Sequence, residues 1–109
     1  MAYNLELSNR IQSELSGTSG LVEKKMFGGV GFMVNGNMAC GVNGDNLLVR
    51  VGVDQNDEAL SQPFTKPFAM TGKPMAGWIL VEPGGYASDE QFKSWIKQGL
   101  KVAQSLPAK

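Results

Sequence analysis

The sequence predicts an α+β domain: an antiparallel meander of about five strands with an N-terminal helix, a short middle helix and a C-terminal helix. Three observations lead there. Apolar residues recur at helical spacing at the two ends, they switch to a period of two between Leu21 and Val53, and an Asn-Gly pair sits between two of the alternating runs.

At the amino end Tyr3, Leu7, Ile11 and Leu15 recur every four residues and form one apolar stripe. Gly17 suits the left-handed position just past a helix end. The alternating stretch divides into strands near 21–27, 30–34, 38–42 and 47–52. Asn35-Gly36 is the favoured pair for a two-residue hairpin, because both central positions need positive φ. Asn43-Gly44-Asp45-Asn46 is a second turn of similar chemistry.

An uninterrupted ladder through Asn35-Gly36 sets Met33 opposite Met38 and Phe32 opposite Ala39. One sheet face then carries Met33, Met38, Cys40, Val42, Leu47, Val49 and Val51. The other carries Val30, Phe32, Val34, Ala39, Leu48 and Arg50. Both are substantially apolar, whereas a half-exposed sheet alternates more cleanly. Either helices cover both faces or one face meets another chain, with Val30, Phe32 and Val34 as the expected interface.

Asp54 to Leu60 reads as a short helix capped by Asp54. Pro63 and Pro67 make 61–74 a loop or irregular edge. Met75 to Glu82 reads as the fifth strand. Ser88 to Gln91 forms a capping box that opens a helix to about Ser105, with Phe92, Trp95, Ile96, Leu100 and Ala103 on its apolar face. Gly99 costs about 1 kcal/mol against alanine in a helix, which close approach to the sheet would justify.

A length of 109 residues fits one domain spanning 1–109. Lys plus Arg and Asp plus Glu each number 10, so the formal charge is zero. That disfavours a general nucleic-acid or membrane-surface binder and does little to oppose self-association. The start lacks a signal-peptide pattern, and no apolar run nears the roughly 20 residues of a membrane span. One cysteine is unlike the paired cysteines of small secreted domains. Cytoplasmic residence is the expectation.

Chemistry is sparse. There is no histidine, so a zinc site within one chain and every Ser-His or Cys-His nucleophile are excluded. Asp54-Gln55-Asn56-Asp57 vaguely suggests a calcium loop, but Ala59 and Thr65 stand where glycine and glutamate belong. Ser94 and Lys97 match an S-x-x-K spacing on the polar side of a helix, outside the setting that pattern needs. Gly29-Val30-Gly31 is followed by a strand where a dinucleotide fold requires a helix. The expectation is therefore no catalytic residue, no cofactor and no metal. Two further readings stand beside it: a small-ligand site at the Gly28-Gly29 turn with Lys25 or Arg50, and weak nucleic-acid contact through the ridge of Lys93, Lys97 and Lys101.

The run Lys25-Met26-Phe27-Gly28-Gly29-Val30-Gly31-Phe32 precedes Asn35-Gly36-Asn37-Met38-Ala39 and Leu47-Leu48-Val49-Arg50-Val51. With Phe68, Gly72 to Met75, Gly77-Trp78 and Trp95, it resembles the amino-terminal domain of the TfoX/Sxy family. The resemblance implies an antiparallel sheet with helices, grouped with secretion-chaperone-like architectures. It implies family-motif roles for Met26, Phe27, Gly28, Gly29 and Arg50. Two-domain members regulate natural competence together with the cyclic-AMP receptor protein. This chain reads as a single-domain member without the second domain. The function it implies is a non-catalytic protein-interaction or regulatory module, partnered by another protein or by itself as a homodimer.

Overall fold

The computed structural model describes residues 4–26, 29–69 and 74–107. Helix α1 (Leu5–Glu14) is followed by strands β1 (Leu21–Met26), β2 (Gly29–Val34), β3 (Asn37–Asn43) and β4 (Asn46–Arg50). A 3₁₀ turn (Val53–Gln55) leads into α2 (Asn56–Leu60), then β5 (Thr65–Ala69) and β6 (Pro74–Val81). A second 3₁₀ turn (Pro83–Gly85) precedes α3 (Asp89–Ser105). The six strands form one antiparallel sheet in the order β1-β2-β3-β4-β6-β5.

The α+β class and the three helices are those the sequence predicts, and the sheet has one strand more. β5 occupies part of the 61–74 stretch expected to be a loop or irregular edge. Pro67 argued against a regular strand there, since proline lacks a ladder donor. But β5 is an edge strand, where the loss is tolerated. The meander holds from β1 to β4. β6 then inserts beside β4 and leaves β5 outside it.

Local signals hold at most boundaries. Asn4 caps α1 by accepting from the Leu7 N–H at 3.0 Å, and Gly17 takes φ 86° just past its end. Asn35 (φ 55°) and Gly36 (φ 84°) make the first hairpin turn. In the second, Asn43 pairs with Asn46, so the turn closes on Gly44-Asp45. Ser88 and Gln91 form the capping box of α3. Asp54 does not cap the middle helix: it lies inside the 3₁₀ turn, and α2 begins after Gln55 without a side-chain cap. Tyr3 of the first apolar stripe lies outside the described residues.

The largest difference is one of register. Met33 pairs with Met38 as expected, but Phe32 then pairs with Cys40, leaving Ala39 as an extra residue in β3. A one-residue bulge reverses which side chains share a face. Val30, Phe32 and Val34 therefore join Cys40, Val42, Leu47, Val49, Ile79 and Val81 on one side, while Met33 and Met38 move to the other. Leu7, Ile11 and Leu15 of the α1 segment, Ala59 of α2, and Phe92, Trp95, Ile96 and Ala103 of α3 complete this core. All three helices lie on the same face of the sheet.

The expected interface is thereby corrected. Val30, Phe32 and Val34 are 2%, 0% and 0% exposed, covered by the chain's own helices. Much of the doubly apolar character inferred from the sequence reflected splitting one core face across two.

Candidate interaction surface

The face away from the helices is built from two cross-strand rows. One crosses all six strands: Lys24, Gly31, Gly41, Leu48, Leu80 and Lys66. Beside it, Val22 pairs with Met33 and Met33 with Met38; further across, Arg50 pairs with Trp78. Among the described residues, no helix lies on this side.

Two adjacent glycines leave the middle of the first row without side chains, and the Met38 methyl lies over Gly41, where an added Cβ would stand 2.9 Å from it. Met33, Met38 and Trp78 are half-buried, and Val22 is 57% exposed. Leu48 and Leu80 are shielded to 6% and 8% yet stand apart from the helix-side core. The Arg50 guanidinium lies over the Trp78 ring, 4.9 Å from its centroid. Unbranched, polarizable methionines re-pack readily against differently shaped apolar partners.

Of the family-motif residues, Phe27 and Gly28 lie outside the described residues, as does the Met26 side chain. Gly29 opens β2 inside the ladder, paired with Met26 and Asn43. A Cβ there would run into the Val42 carbonyl oxygen, so close strand approach explains this glycine without a ligand. Arg50 is not beside it. Asn43, opposite Gly29, pairs with Asn46 on β4, and Arg50 lies four residues further, about 13 Å along the strand. Lys25 alternates onto the helix side, away from Arg50. Of the two basic groups expected there, Lys25, paired with Val30, stays next to Gly29, and Arg50 does not.

The lysine ridge is likewise not a free basic surface. Lys97 and Lys101 line an open groove of about 740 Å³ whose opposite wall carries Asp54 and Glu58. Lys93 borders a smaller hollow with Glu6, Glu14, Asp89 and Arg10. Carboxylates thus flank every lysine of the ridge, which weakens its pull on phosphate.

Cys40 is buried beneath the helices, and desolvation pushes its thiol from 9.0 up to about 12. A thiol so placed is a packing group, not a nucleophile. Its folded pKa is raised, so its stabilising contribution is complete below pH 9 and drains as the pH climbs toward 12. The expected slope is about 1.4 kcal/mol per pH unit in that window. Urea melts of the natural chain and Cys40→Ala between about pH 8 and 11 measure it as the part of the alkaline decline that the variant lacks.

Sequence reasoning passed over Lys66 because 61–74 read only as a loop or irregular edge, and it separated Met33 from Arg50 because it missed the bulge. The lysine two residues from Gln62-Pro63-Phe64 gave no signal of its own.

Residues 13–103 match the TfoX N-terminal domain. The chain belongs to this family. The matched span takes in the end of α1, all six strands, α2 and α3 as far as Ala103. This TfoX N-terminal domain therefore keeps the bulged β3, the Arg50–Trp78 stack and the helix-free sheet face within the region that defines its family. No curated protein and no solved structure matches the chain. No described helix is long and apolar enough to cross a membrane.

Proposed function

We propose that this TfoX N-terminal domain is a non-catalytic protein-interaction module whose binding surface is the helix-free face of the sheet. The observation that carries the reading is the one-sided packing: three helices on one face, and Val22, Met33, Met38 and Trp78 on the other. A contiguous exposed apolar patch rimmed by polar groups marks an interaction site. Burial of the single thiol supports a binding role over a nucleophilic one. A regulatory role follows the same logic, with the domain acting by what it holds.

The test compares affinity capture by the natural chain and by the double variant Met33→Gln, Met38→Gln. The substitutions keep side-chain length and remove the apolar surface. We expect specific partners to be reduced at least about fivefold with the variant, with its melting temperature nearly unchanged. Equal capture by both chains would place binding elsewhere and defeat the proposal.

A further inference from the structure

We infer that the partner docked on this face is an acidic amphipathic segment of another protein, with apolar side chains in its middle and carboxylates toward both ends. The inference rests on the proposed use of the face and adds the chemistry of what it binds.

Charge carries the argument. The chain as a whole is neutral. Yet among the described residues of the six strands, every charged one that register assigns to this face is a cation: Lys24 on β1, Arg50 on β4 and Lys66 on β5. Glu23 alternates to the helix side; Glu82, one residue past β6 and still donating its N–H to the Phe64 carbonyl, is a carboxylate that alternation brings to the rim of this face, against the three cations. Lysines on edge strands commonly guard against edge-to-edge aggregation, which would account for Lys24 and Lys66. It does not account for Arg50, which lies on the interior strand β4 and stacks on Trp78.

The layout specifies the ligand further. Lys24 and Lys66 terminate one row that crosses six strands, about 24 Å at the usual strand spacing. Between them lie Gly31, Gly41, Leu48 and Leu80, with Met33 and Met38 alongside. A helix of about 16 residues spans that length. Laid along the row, it would set an apolar stripe over the half-buried Met33 and Met38 and carboxylates near the two lysines, with a further one beside Arg50.

Nucleic acid fits less well. Three phosphate contacts give a salt slope of only about −2.7. Trp78, the aromatic ring in the paired rows of this face, already stacks on Arg50. A symmetric contact with a second copy would set the same cations against each other.

A phage library of random peptides of about 16 residues, selected on the natural chain, tests the inference. We expect the selected peptides to be rich in Asp and Glu together with Leu, Met or Phe. Lys24→Glu with Lys66→Glu, both exposed positions, should weaken representative peptides about tenfold or more in fluorescence anisotropy, and added salt should weaken them in the natural chain. Neutral or basic peptides that still depend on Met33 and Met38 would overturn the charge inference and leave the face reading intact. Peptides indifferent to Met33→Gln, Met38→Gln, or no peptides at all, would overturn both. A single-stranded oligonucleotide that outcompetes the peptides would overturn the inference in favour of nucleic acid. Concentration-dependent assembly in sedimentation, lost in the lysine variant, would overturn it in favour of a second copy.

Discussion

Replacing Phe32 by alanine is expected to destabilise the domain by about 3–5 kcal/mol, the usual cost of deleting a buried phenyl ring. Phe32 is fully buried and is the largest of the fully buried side chains. It sits mid-sheet, paired with Glu23 on β1 and Cys40 on β3, beneath the helix layer. Removing the ring leaves a cavity that α1, α3 and the strands can fill only by shifting together, and native interiors resist that. For a domain near 100 residues, each 1 kcal/mol lowers the melting temperature by about 4–8 °C. A fall of roughly 12–40 °C therefore follows. The measurement also separates a core position from an interface position. If the residue were on an interface between chains, Phe32→Ala would change oligomeric state and spare the monomer's stability. A urea melt showing less than about 1 kcal/mol lost would contradict the placement of this ring in the core.

Gly99→Ala is expected to destabilise by about 1–3 kcal/mol, the usual cost of forcing extra volume into a close-packed contact. The sign is the informative part. In an exposed helix interior, glycine to alanine stabilises by about 1 kcal/mol. Here a Cβ would meet the carbonyl oxygen of Ala39, which is backbone and cannot rotate away. Ala39 is the extra residue of the β3 bulge. The helix thus rests directly on the point where the strand departs from regular pairing. Relief would require α3 to lift from β3 and β4, loosening Trp95, Ile96 and Ala103 at the same time. Thermal melts of the natural chain and Gly99→Ala decide the matter, and a melting temperature that rises would show that the contact is loose. Gly17→Ala gives a useful contrast: nothing lies within 4 Å of its Cβ position, so its cost is conformational, from φ 86° alone.

Much of this architecture is legible in the chain itself because the signals are local. The start of α3 follows from Ser88 and Gln91, whose side chains reach backbone groups three residues away. The hairpins follow from Asn35-Gly36 and Gly44, where the turn conformation demands positive φ. The α+β class follows from the change of period between the ends and the middle. The absence of histidine excludes the common nucleophile pairs on composition alone.

Local signals fail where the deciding interaction lies far off in sequence. Nothing near Ala39 announces a bulge, because the residue that meets its carbonyl is Gly99 on the last helix. Without the bulge, register arithmetic divides one buried face into two and places Val30, Phe32 and Val34 on an outer surface. Pro67 reads as a breaker until β6 is seen to pair with it on one side only. The cations of the helix-free face are separated by 26 residues from Lys24 to Arg50 and by 16 from Arg50 to Lys66, and only strand order gathers them.

The sequence by itself determined the family, the capping box of α3, the hairpin turns and the lack of histidine chemistry, since each depends on residues that touch or follow one another along the chain. The tertiary structure decided the sixth strand, the face each side chain occupies and the gathering of Lys24, Arg50 and Lys66 on the uncovered side. Those depend on register, which a single extra residue inverts and only contact with a distant helix can place.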